Sequence, residues 1–145
     1  MLQTNNFDPS NPSTSKQYNN IANFLFDQLD QYGDPIDSIK KCLDFALDPK
    51  RGGDIITLEE DGEILAATIL NKTGMKGYIP ENILVYIATH RDHRGKGLGR
   101  SLMEKAISTV EGDIALHVEK DNPAKFLYEK LGFTNPYLEM RLKRG

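Results

Sequence analysis

The sequence predicts a single α/β domain in which a β-hairpin and further strands form one mixed sheet with helices packed on it. Three stretches carry that expectation. Asp61-Gly62 separates two strand-like runs, 54–60 and 63–71, which is the strongest short-range hairpin signal available. A β-branched run, 83–88, leads into the basic, glycine-punctuated turn Arg94-Gly95-Lys96-Gly97-Leu98-Gly99-Arg100. From that turn a helix opens with Leu98, Leu102, Met103, Ala106, Ile107 and Val110 on one stripe. A second strand and helix follow over 114–131.

In chain order, residues 1–15 are rich in Asn, Ser, Thr and Pro and offer little to bury. They are expected to form a flexible tail with at most a short edge strand near Leu2 to Phe7, leaving 16–145 as the domain. From Ser15 as N-cap, Tyr18, Ile21, Ala22, Leu25, Leu29 and Tyr32 recur at helical spacing until Gly33 stops them. Asp34-Pro35 or Asp37-Ser38 starts a second helix carrying Ile36, Ile39, Leu43 and Ala46, which Asp48-Pro49 and Gly52-Gly53 end. The stretch 71–80, NKTGMKGYIP, reads as a loop. After Gly112-Asp113, Ile114, Leu116 and Val118 alternate with Ala115, His117 and Glu119 in a strand. Asp121 or Asn122 caps the next helix, with Pro123 in its first turn and Ala124, Leu127, Tyr128 and Leu131 along one side. Gly132 closes it, and Tyr137 to Lys143 alternates as a last strand.

Composition narrows the function classes. A chain of 145 residues with 39% apolar content suits one core. A net charge of −3 argues against a nucleic-acid binder, which needs a basic face over many phosphates. No window approaches 18 consecutive apolar residues and the N-terminus lacks a signal-peptide pattern. The expectation is therefore a soluble, cytoplasmic protein without membrane contact. The lone Cys42 has no partner for an internal disulfide and reads as a small buried hydrophobe.

A strand, glycine loop and helix in that order aim free backbone N–H groups and the positive end of a helix dipole at one point, which binds phosphate. The spacing excludes two familiar phosphate loops. Counting from Gly95, the sixth position of a G-x-G-x-x-G fingerprint is Arg100, and no G-x-x-x-x-G-K-[ST] run occurs in the chain. What stands here is R-x-x-G-x-G, from Arg94 through Gly97 to Gly99. The N–H groups of Gly95, Gly97, Leu98, Gly99 and Arg100 are candidates to cradle a pyrophosphate, with Lys96, Arg100 and Arg94 adding positive charge.

Further on, Asn122-Pro123-Ala124 and Phe126 to Phe133 read N-x-A-x-x-x-Y-x-x-x-G-F. These two blocks together resemble the GCN5-related N-acetyltransferase (GNAT) superfamily: the first is similar to its acyl-CoA pyrophosphate loop, the second to its pantetheine and tyrosine segment. The resemblance covers 83–133 and implies a mostly antiparallel sheet with splayed central strands, acetyl-CoA as co-substrate and no metal. It also implies that the main chain of Ile87, Ala88 and Thr89 pairs with the pantetheine arm as if with another strand, and that an N–H there steadies the thioester oxygen.

The implied reaction is acetyl transfer to an amine. An alkylammonium is neutral in only about four parts in ten thousand at pH 7, and only the neutral form attacks, so a base is needed. By position Tyr128 matches the family's tyrosine and is the candidate proton donor to the departing thiolate. Asn122 caps its helix and is a candidate pantetheine contact. His117, opposite the apolar face of its strand, is the first candidate for the base; Glu81 and Glu119, acting through water, are the others, and the remaining alternative is no dedicated protein base. His90 and His93 lie nearer the phosphate turn and are expected to pack or face solvent.

The sequence departs from the family in two places. The first strand is hard to find in the Asn-rich N-terminus, and the stretch after Phe133, broken by Asn135-Pro136, is shorter than the family's final hairpin. The short end leaves the acceptor's size open and a sheet edge on which a second copy of the chain could dimerise. The acceptor is expected to be a small-molecule or peptide amine, steered by acidic residues such as Asp34, Asp37, Glu59, Glu60 and Asp61 or by none of them. Two other readings stay open: an acyl-CoA sensor or scaffold of the same fold without turnover, and a nucleotide-binding module.

Overall fold

The computed structural model describes residues 1–145. Asp61 and Gly62 turn with φ of 53° and 80°, both in the left-handed region that a two-residue hairpin of matching twist requires. They join β2 (Gly53–Glu60) to β3 (Glu63–Lys72), which pair antiparallel from Gly53↔Asn71 to Glu60↔Glu63. At the start of β2 a side chain has no room, because a Cβ at Gly53 would run into the Leu70 carbonyl oxygen. β1 (Gln3–Phe7) pairs antiparallel along the other edge of β2, and β4 (Asn82–Thr89) along the other edge of β3. β5 (Ile114–Leu116) pairs parallel with β4, giving the order β1-β2-β3-β4-β5. The sheet is thus mixed and mostly antiparallel, as expected.

The first strand is present despite its composition. At a sheet edge only Phe7 needs burial, at 6% exposure, while Asn5 and Asn6 donate to Glu59 and Asp54 on β2. Helix α1 (Ser15–Leu29) is capped one residue earlier than expected. The Thr14 hydroxyl accepts from the Gln17 N–H at 3.1 Å while Gln17 Oε1 accepts from the Thr14 N–H at 2.8 Å. A short 3₁₀ turn, Asp30–Tyr32, follows, and α2 (Ile36–Leu47) begins directly after Pro35.

The sheet is covered on both faces. On one, Ile21 and Leu25 of α1 and Ile39 and Leu43 of α2 pack on Ile55, Ala67, Ile69, Tyr86 and Ala88. On the other, Leu98, Leu102, Met103 and Ala106 of α3 (Leu98–Thr109) and Tyr128 of α4 (Ala124–Lys130) pack on Ile56, Ala66, Leu70 and Leu84. Consecutive residues of β2 such as Ile55 and Ile56 are both fully buried because each has a helical layer to face.

Leu84, Tyr86 and Ala88 would share one face of a regular strand, yet Leu84 packs under α3 while Tyr86 and Ala88 pack under α1 and α2. The cause is a β-bulge. Ile69 pairs with Tyr86 and the next residue, Leu70, with Leu84, so Val85 is an extra residue that reverses the alternation. A bulge also bends and twists its strand. The β4–β5 pairing ends at Leu84↔Leu116, immediately before it.

Two expectations about the C-terminal third are corrected. β5 stops at Leu116, so Val118 lies beyond the strand; the reason is that β4 has already diverged and no ladder partner remains. The last strand, Tyr137 to Lys143, is not formed: 134–145 contain no regular element, and Tyr137, Leu138, Met140 and Leu142 are exposed. Alternation is only half of what a strand needs. The other half is a partner, and these residues have no hydrogen-bonded neighbour in the sheet.

Cys42 sits buried on α2, where its Sγ accepts from the Asn71 amide at 3.4 Å. Burial pushes its thiol up to about 12, so almost no thiolate exists at pH 8. Ellman's reagent is therefore expected to label the native protein at least about 100-fold more slowly than the urea-unfolded chain. Equal rates would contradict this placement.

Candidate active site

The glycine loop begins where β4 ends. After a 3₁₀ turn, Arg91–His93, the chain reaches Gly95 and Gly97 with φ of 81° and 80°, a conformation that glycine adopts without strain. A Cβ at either position would meet no atom within 4 Å, so the loop lies open rather than packed shut. Gly97 caps α3 and brings no side chain to its orphan donors. None of the backbone N–H groups from Gly95 to Arg100 donates to an acceptor in the chain; the first that does is Ser101, to Gly97 O at 3.0 Å. This run of free donors at a helix N-terminus is an anion cradle.

The basic side chains divide. Lys96 is exposed and Arg100 is half-exposed, 3.8 Å from Glu104 on its own helix. Arg94 is turned away: its guanidinium donates to Gln28 O at 3.0 Å and to Thr89 O at 3.4 Å. It fastens the end of α1 to the end of β4. Its neighbour Arg91 does the same work, through its N–H to Gln28 Oε1 at 2.8 Å and its guanidinium to Asp27 O at 3.0 Å. Gln28 is consequently buried, at 6% exposure.

From Val85 to Thr89 the edge of β4 that faces β5 has no partner strand. At about 3.3 Å per residue this open edge is about 16 Å long. The His90 N–H donates back to Leu65 O on β3, so the two-residue alternation turns the polar groups of Ala88 and Tyr86 towards β3 as well. Those of Ile87 face the open edge, as does the Thr89 N–H, while the Thr89 carbonyl accepts from Arg94. Of the three residues expected along the pantetheine, Ile87 therefore presents both main-chain groups, Thr89 only its N–H, and Ala88 none. At the closed end Asn82, 3% exposed, donates through its side chain to Glu111 O and Asp113 O at 2.7 and 3.2 Å. That clamp holds β5 to β4 before they part.

The two candidate proton-transfer residues lie on opposite sides of the notch that opens where β4 and β5 part. Tyr128, 7% exposed, belongs to the α3/α4 side, with its ring 6.1 Å from that of Phe133. Its hydroxyl makes no hydrogen bond within the chain and is not sealed from water. Burial raises its pKa, so it remains a phenol at neutral pH. His117 is the residue after Leu116, the last to pair with β4, and so stands where the two strands part. Leu116 packs towards α3 and α4, which directs His117 to the other face, where it is exposed. Glu119 is exposed too, and its carbonyl accepts from the Asn122 N–H at 3.0 Å. Glu81 packs against Gly112 at the closed end of the β4–β5 pair, away from the notch. His90 stands between Phe24 and His93, with ring centroids 6.4 and 5.3 Å away, and both histidines are partly buried. Asn122 Oδ1 accepts from the Ala124 N–H at 3.0 Å and so starts α4 beside the notch.

Sequence reasoning missed the Val85 bulge, the Asn82 clamp and the Gln28 anchor for Arg91 and Arg94. A lone asparagine opening a strand and a glutamine near a helix end carry no pattern of their own. Only the long-range pairing reveals their use.

Comparison with known proteins agrees with this geometry. Residues 51–135 match the family model described as the acetyltransferase (GNAT) domain. A 5-NmdU N-acetyltransferase of Pseudomonas phage PaMx11 is 33% identical over 84 residues, covering 57% of this chain and 58% of that protein. The chain thus matches little more than half of that relative's length. Among solved structures, a transcriptional regulator from Bacillus halodurans C-125 superposes with a TM-score of 0.72 at 19% identity, covering 99% of this chain and 100% of that one. An aminoglycoside N-acetyltransferase in complex with CoA superposes with a TM-score of 0.71 at 13% identity, covering 99% and 95%. With the family model spanning more than half of the sequence, and with an open glycine loop feeding a splayed strand pair, the chain belongs to the GNAT acetyltransferase family.

Proposed function

We propose that this protein transfers an acetyl group from acetyl-CoA to a primary amine while both are bound together. The observation that carries the reading is the row of unpartnered N–H groups from Gly95 to Arg100 continuing into the unpartnered edge of β4. The first suits a diphosphate and the second an extended amide-bearing arm, and coenzyme A has these in that order. Gly95 to Arg100 would hold the pyrophosphate, with Lys96 and Arg100 adding charge; Arg94 would act behind the loop by bracing it. Ile87 and Thr89 would pair with the pantetheine, and an N–H of this edge would steady the acyl oxygen as negative charge develops on it. Asn122, committed to starting α4, would meet the pantetheine from the far side.

When bound, the thioester supplies an activated acetyl carbon. The amine nitrogen forms a bond to that carbon and the carbon–sulfur bond breaks, leaving an amide and a thiol. One proton leaves the nitrogen, and one reaches the sulfur. His117, where β5 leaves β4, would take the first on the α1/α2 side. Tyr128 would give the second from the α3/α4 side. The acceptor therefore enters over α1 and α2.

His117→Gln is expected to lower kcat/KM about 10²-fold at pH 7, with the loss shrinking as rising pH deprotonates the amine in solution. A pH profile parallel to that of the wild type would remove His117 as the base. No side chain orients His117, which favours a second reading, an acyl-CoA binder without turnover. Thiol release from acetyl-CoA over a panel of primary amines separates the two. A Tm increase with CoA but not with ATP or NAD tests the binding both require.

A further inference from the structure

We infer that Asp34, held by the Tyr86 hydroxyl beside the open edge of β4, docks a second ammonium group of the acceptor, so that the preferred substrate is a diamine. This rests on the acetyl-transfer reading above. Tyr86 is the residue just past the bulge, at the inner end of the open edge, and its ring is 8% exposed between the sheet and the α1/α2 layer. Its hydroxyl donates to Asp34 Oδ2 at 2.5 Å. Asp34 lies between Gly33, which ends the 3₁₀ turn, and Pro35, whose ring restricts the backbone before it. The carboxylate is thus pinned from both its backbone and its side chain.

Its charge has no counter-ion. No lysine, arginine or histidine lies within ion-pair distance of Asp34, and the residue is exposed. Two other acidic residues do have cationic partners: Asp27 pairs with Arg91 at 3.4 Å and Glu63 faces His90 at 3.7 Å. The second oxygen of Asp34 takes no hydrogen bond in the chain and stays available.

Reach decides which nitrogen it serves. The attacking amine must be neutral and must meet the thioester carbon at the main-chain edge. Asp34 stands a full tyrosine side chain away from that edge. It cannot hold the attacking nitrogen, but it can hold an ammonium several carbons further along the same molecule. It lies on the α1/α2 side, the side to which His117 points. Binding a remote charge there orients the neutral end for attack.

Putrescine and butylamine are four-carbon amines that differ by one ammonium group, so their kcat/KM ratio on the full chain isolates this contact. The wild type is expected to favour putrescine by about tenfold. Asp34→Asn keeps an oxygen for the Tyr86 hydroxyl and removes only the charge. It is expected to bring the ratio near one by raising the KM for putrescine, leaving kcat and the KM for acetyl-CoA within about twofold. A purely structural Asp34–Tyr86 pair would survive this change with the ratio intact, and that result overturns the inference. Equal use of both amines by the wild type overturns it too. If CoA raises Tm yet neither amine is acetylated, the diamine assignment fails while acyl-CoA binding stands. If CoA neither raises Tm nor is formed, the acetyl-transfer reading itself fails.

Discussion

Tyr128→Phe is expected to lower kcat about 10²-fold while leaving the KM for acetyl-CoA and the melting temperature nearly unchanged. Three features of the residue set those directions. The ring is 7% exposed and packs 6.1 Å from Phe133, and phenylalanine preserves that packing. The hydroxyl donates to nothing in the chain, so its removal strands no buried acceptor. In the proposed reaction, what is lost is only the proton it would give to the thiolate. Burial also raises its pKa, and a donor whose pKa is raised keeps its proton to higher pH. Wild-type kcat should accordingly show no decline between pH 7 and pH 9 from loss of this proton. Steady-state rates of both proteins across that range test the point. A kcat reduced less than about threefold would mean that water protonates the thiolate and Tyr128 only packs.

How much of this was legible in the sequence depended on whether the signal was local. The hairpin was legible because Asp61-Gly62 specifies its own turn, and the turn before α3 because Gly95, Gly97 and Gly99 stand just ahead of an apolar stripe. Leu102, Met103 and Ala106 face the core as their spacing required. The first strand was obscured because an edge strand borrows its stability from β2 and needs only Phe7 from its own sequence. The last strand was over-read for the converse reason: alternation in 137–143 met no neighbouring strand. Arg94 illustrates the same limit in the site. Its place in the motif suggested a phosphate contact for the side chain, yet the nearby carbonyls of Gln28 and Thr89, the former far away in sequence, claim its guanidinium. Asp34 was visible only as one acidic residue among several. Its pairing with Tyr86, 52 positions away, is what singles it out.

Gly97→Ala is expected to weaken CoA binding about 100-fold while lowering the stability of the free protein by only about 1–2 kcal/mol. Two effects compete at this position. The fold itself has room, since a Cβ there meets nothing within 4 Å, so the stability cost is limited to holding alanine at φ of 80°. That open space, however, is the mouth of the cradle. A methyl group in it keeps the diphosphate from approaching the N–H groups, and relief of the strained φ rotates the amides that precede Leu98 out of alignment. Charge-assisted hydrogen bonds are each worth about 1.5–3 kcal/mol, so losing the equivalent of one or two accounts for the expected factor. Gly99→Ala provides the contrast. Its φ is not in the left-handed region, and its Cβ would make ordinary contacts of 3.6 Å with Leu127 and with the Thr89 hydroxyl. It should therefore bind CoA within about fivefold of the wild type. Calorimetric titration of CoA into the three proteins, alongside their melting temperatures, decides the matter. Should Gly97→Ala bind as tightly as the wild type, the loop's amides are not what holds the diphosphate.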